Sequence, residues 1–68
     1  MDNEVFSDLV HVAKMTVYLL EGDKVRAVQE FDMVQNRDVL PDWDDVDVDD
    51  KVLIYREAWS QIGEQRER

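Results

Sequence analysis

Val48, Val52, Tyr55, Trp59 and Ile62 follow one another at intervals of four, three, four and three residues. That spacing keeps to one face of a 3.6-residue helix for four turns, and it would scatter over both faces of a strand. Leu53 and Ala58 widen the stripe. Asp47 stands where a helix N-cap belongs, and Asp50, three residues on, stands where a capping box places its acid. The period predicts a helix over 48–63. Its apolar side, with Tyr55 and Trp59 at the centre, is expected to be core.

Gly22, Pro41 and Gly63 punctuate the chain into three periodic segments. The first opens at Asp2 or Asn3, either a good N-cap, and closes at Gly22, a natural helix stop. Within it Val5, Leu9, Val12, Thr16 and Leu19 form one helical stripe, and Phe6, Val10, Ala13, Val17 and Leu20 form the next. Glu4, Ser7, His11, Lys14, Tyr18 and Glu21 line up opposite as a polar face. The second segment repeats Val25, Val28, Phe31 and Val34 every three residues, with Ala27 beside them. Arg26 and Glu30 stand one turn apart and can pair. A β-hairpin over 15–31, turning at 21–24, competes with helix here. The stretch "VQEFDMVQN" does not alternate cleanly, which favours helix. The expected fold is all-α: one small domain over 1–68 with helices near 3–21, 24–36 and 48–63, an acidic connection over 37–47, and a frayed tail after Gly63.

A chain of 68 residues, 44% of them hydrophobic, has material for one small core and no internal cavity. Domains of about 60 residues bury only ~60% of their unfolded surface and are marginal alone. Many add a disulfide, a metal or a partner. The absence of cysteine removes disulfides and thiolate metal sites and fits a reducing, cytoplasmic setting. The N-terminal "MDNEVFSDLV" lacks the positive region of a signal peptide, and no apolar run reaches the roughly 18 residues of a membrane span. A soluble protein is expected, with self-association or docking on a larger partner open to it.

The charge is concentrated in one place. Residues 38–50 carry seven acids and no base, so this segment holds seven of the nine excess negative charges. Its centre is "DWDDVDVDD", residues 42–50. Such a field repels nucleic acid and anionic membranes, so direct binding to either is not expected. A calcium loop of the EF-hand type needs glycine at position 6 and glutamate at position 12. Counted from Asp45 those positions hold Asp50 and Arg56, and counted from Asp42 the ligand position 5 holds Val46. No dedicated metal site is expected.

Acids at a helix N-terminus meet a favourable macrodipole, each worth about 0.3–1 kcal/mol. That accounts for Asp47, Asp49 and Asp50 but not for Asp42, Asp44 and Asp45, a turn or more before the cap. The remaining reading is a contact surface for a basic partner, made of Asp42, Trp43, Asp44, Asp45, Asp47, Asp49 and Asp50. In an extended segment Asp45, Asp47 and Asp49 would project on one side about 6.6–6.8 Å apart, a spacing that resembles one nucleic-acid strand. Trp43 would anchor the contact or plug the core beside Pro41.

Catalysis finds little support. His11 is the one histidine, and Ser7, four residues before it, lacks a third partner of a nucleophilic triad. Solvated aspartates without a dry pocket do not separate their pKa values, and no glycine-rich phosphate loop occurs. A non-enzymatic protein without cofactor is expected. The favoured function is an acidic module that inhibits or modulates a nucleic-acid-handling protein by engaging its basic surface. In size and charge it is similar to phage and plasmid anti-defence and DNA-mimic proteins, a likeness of class and not of motif. The alternative is a homo-oligomeric or accessory subunit whose acidity serves solubility or salt adaptation, since eleven aspartates and eleven valines against three lysines suit that too.

Overall fold

A computed structural model of the chain describes residues 3–37 and 43–66. Three helices carry it: α1 (Asn3–Leu20), α2 (Lys24–Asp32) and α3 (Val48–Arg66). The all-α expectation holds, and no strand occurs among the described residues. Residues 15–31 are therefore a helical hairpin, and two residues make its corner. Gly22 takes φ 83°, a conformation that glycine adopts without steric cost. The Gly22 N–H donates to the Leu19 carbonyl at 3.1 Å and the Asp23 N–H to the Tyr18 carbonyl at 2.8 Å. That pair of bonds is a Schellman stop. Asp23 then caps the next helix, its Oδ1 accepting from the Arg26 N–H at 3.1 Å.

α1 is the central element. α2 and α3 pack on it rather than on each other. The Tyr18 hydroxyl donates to Gln65 Oε1 at 2.7 Å, and Arg66 donates to Glu21, so the C-terminal ends of α1 and α3 lie side by side. Leu9, Val10, Val12, Ala13, Val34, Ile54 and Ala58 form one core cluster. Val17, Tyr18, Ala27 and Ile62 form a second, and Met15 and Tyr55 pack against both.

A helix covered by two others is buried nearly all round, and this overturns the polar face expected for α1. Lys14 and Tyr18 lie in the core, as does Asp8, whereas Leu19 and Leu20, expected inside, are exposed. Asp8 accepts the backbone N–H groups of Gln35 and Asn36, both at 3.0 Å. These bonds hold the chain beyond α2, which ends at Asp32 instead of continuing to 36. On α2 the buried residues are Ala27 and Glu30, while Val25 and Val28 face solvent. Arg26 pairs with Asp23 and not with Glu30 as its spacing suggested.

The expected face of α3 is also displaced. Ile54, Ala58 and Ile62 are its buried line. At 100° per residue this line is rotated by roughly 80° from the stripe read in the sequence. Ile62 is common to both and Tyr55 is half-buried, but Val48, Val52 and Trp59 are exposed. α3 also runs through Gly63 to Arg66 without stopping.

Candidate partner-binding surface

The acidic stretch begins in a short 3₁₀ turn over 43–45, closed by the Val46 N–H donating to the Trp43 carbonyl at 3.2 Å. Val46 packs on the core, and the chain enters α3 at once, with the Asp47 carbonyl accepting from the Lys51 N–H at 2.9 Å. That bond places Asp47 at the N-cap position read from the sequence. The extended geometry needed for a ladder of carboxylates at strand spacing is absent here. Asp45 lies in a turn and Asp49 in the first turn of a helix, so Asp45, Asp47 and Asp49 do not share one side of a strand.

Asp44, Asp45, Asp47 and Asp49 are exposed and Asp50 is partly so. None of the five makes an ion pair among the described residues. Asp42 lies outside the described residues, as does Pro41. No three carboxylates or imidazoles among the described residues converge as a metal ion would require. Trp43 is half-buried against the first core cluster. Its ring meets Tyr55 edge-on, centroids 5.7 Å apart at 79°, and Lys51 Nζ stands 5.5 Å from its centroid. Trp43 thus packs against the core while remaining partly exposed.

A second polar constellation escaped the sequence reading. The Lys14 ammonium donates to Glu30 Oε1 at 3.1 Å, and His11 Nδ1 lies 2.9 Å from Glu30 Oε2. His11 is thus engaged across the α1–α2 contact, not with Ser7 on its own helix. Next to this ion pair, Tyr18, Arg26, Gln29, Glu30, Met33 and Gln65 line a hollow of about 220 Å³. Burial first, and the Glu30 charge second, push the Tyr18 hydroxyl above its ordinary pKa of 10.0. The available signal was faint: Lys14 is the one lysine or arginine before Lys24, placed one turn from the one histidine. Lys14, His11 and Tyr18 each spend a polar atom on a contact between helices.

The chain matches no protein family model, no curated protein and no solved structure.

Proposed function

We propose that the protein is a non-catalytic binding module. Its surface of Trp43, Asp44, Asp45, Asp47, Asp49 and Asp50 engages a basic face of another protein, one that itself handles nucleic acid. The observation that carries this reading is the set of solvent-facing carboxylates that make no ion pair among the described residues, gathered around a partly exposed tryptophan. Like charges so close repel one another and return nothing to the fold beyond the helix N-terminus. Against a basic surface the same charges steer association and fix orientation. A protein that binds phosphates displays the lysines and arginines that carboxylates also satisfy.

The test compares the immobilised protein with an Asp44→Asn, Asp45→Asn, Asp49→Asn variant in the same lysate at low and high salt. Basic proteins held by the parent at low salt, released at high salt and ignored by the variant would support the reading. Equal retention with equal salt dependence would remove it.

An accessory or self-associating subunit is the second reading. It draws on an apolar groove of about 250 Å³ between α1 and α2, lined by Met15, Leu19, Ala27, Val28 and Phe31. Sedimentation at low and high salt separates the two, because screening a net charge of −9 would promote self-association and weaken capture of a basic partner.

A further inference from the structure

The stripe Val48, Val52, Trp59 is more regular than the core needs. These residues are 75%, 50% and 52% exposed, although α3 already buries Ile54, Ala58 and Ile62 against α1. At 100° per residue the three fall within roughly 40° of arc and span about 16 Å of helix. Tyr55 borders them, and through its edge contact with Trp43 it joins the stripe to the acidic turn. The stripe therefore starts inside the acidic stretch, Val48 standing between Asp47 and Asp49, and leaves it along α3.

We infer that the outer face of α3 is the apolar half of the binding surface, and that its occupant is a basic amphipathic helix of the partner. This rests on the reading of the acidic stretch given above. A helix fits because an exposed ridge of apolar side chains at helical spacing packs into the groove between the side-chain ridges of another helix. A basic one fits because exposed carboxylates stand at the N-terminal end of the stripe; Lys51 and Arg56 flank its middle, Lys51 being turned over the Trp43 ring. A second copy of this chain fits less well. It would bring −9 against −9, its C-terminal residues 64–68 carry as many acids as bases, and Arg66 is already paired with Glu21. Trp59 supplies the large aromatic that dominates interface energetics.

The probe is a tryptophan-free synthetic peptide with leucines at helical spacing and lysines on its polar side. Beside it are tested a scrambled peptide of the same composition and a copy with glutamate for each lysine. Titration into the labelled protein, followed by amide and indole NMR shifts, should perturb Val48, Val52 and Trp59 together with Asp47 and Asp49. The scrambled peptide should bind weaker by on the order of tenfold, the loss of one hot-spot contact, and the glutamate copy should not bind. Val52→Glu is the sharpest variant, since it adds a negative charge that electrostatics alone would reward. It should nonetheless weaken binding by about tenfold, as should Trp59→Ser, with both variants still folded and melting cooperatively.

Equal binding of the scrambled peptide overturns the inference. So do shifts confined to Leu19, Val28 and Phe31, or a self-associated species that Val52→Glu dissolves. If Asp44→Asn, Asp45→Asn weakens binding and flattens its salt dependence while Val52→Glu does nothing, the α3 face fails and the acidic surface stands. If the glutamate copy binds as well as the lysine peptide, both fail.

Discussion

Lys14 and Glu30 form an ion pair across the α1–α2 contact with side chains only 3% and 5% exposed. Removing one partner of such a pair leaves a buried charge without compensation, at about 3–5 kcal/mol, whereas replacing both with apolar groups is often neutral. Lys14→Met and Glu30→Leu should each unfold the protein or nearly so. The double variant should recover most of the loss in a chemical-denaturation experiment. Additive losses in the double variant would mean that the pair contributes nothing as a pair. His11, the second group on Glu30, makes Glu30→Leu the worse of the two single changes.

Trp59→Ala should cost about 1 kcal/mol or less, as for a surface position. Ile62→Ala and Ile54→Ala should cost about 2–5 kcal/mol, since both side chains are fully enclosed. Thermal melts of the three variants decide it. A large loss at Trp59 would restore the buried stripe expected from the sequence.

That contrast shows where legibility ended. The three helices and the turn at Gly22 were readable, because period, caps and glycine agree locally. The buried face of α3 was not, because its apolar residues cover a wide arc and a single chain does not say which part of the arc meets α1. Ala58 decides it: a small side chain lets the helices approach, so the line through Ala58 faces inward. In α1 the same limit inverted Lys14 and Tyr18. They read as a polar face until α2 and α3 brought Glu30 and Gln65 to satisfy them. The acidic stretch was legible as charge and as a helix entrance, but its 3₁₀ turn depends on Trp43 and Val46 reaching the core.

The two glycines should respond in opposite directions. Gly63 lies inside α3 at an ordinary φ, and a Cβ there would meet nothing within 4 Å. Gly63→Ala should stabilise by about 0.5–1 kcal/mol through higher helix propensity. Gly22→Ala should destabilise by about 1–2 kcal/mol, because φ there is positive. Paired urea titrations would settle both signs.

Tyr18 predicts an alkaline limb. Its hydroxyl is raised above 10.0 in the folded protein, by burial and then by Glu30. As pH passes 10 the unfolded chain releases this proton before the native one does, so the native state gains nothing from deprotonation and stability falls. The contribution is complete below pH 10 and is lost as pH rises toward the folded-state value. Tyr18→Phe removes the bond to Gln65 and should be less stable at pH 8, with a shallower decline above pH 10. A decline of unchanged slope would assign the limb to other groups.

Asp44, Asp45 and Asp49 should be dispensable for folding. They are exposed, carry no ion pair among the described residues, and sit beside Asp47 and Asp50 in a segment that holds most of the excess charge. Neutralising Asp44 and Asp45 relieves repulsion, while neutralising Asp49 gives up one favourable contact with the α3 N-terminus, worth about 0.3–1 kcal/mol. The Asp44→Asn, Asp45→Asn variant should therefore melt at or above the parent temperature at low salt. The gain should vanish near 1 M salt, where screening acts within about 3 Å. Asp49→Asn should fall slightly below the parent, and Asp47→Asn should match it because asparagine caps as well as aspartate. A clear drop on changing Asp44 and Asp45 would mean that these carboxylates hold the 43–45 turn in place, and the surplus of charge would then belong to the fold and not to a partner.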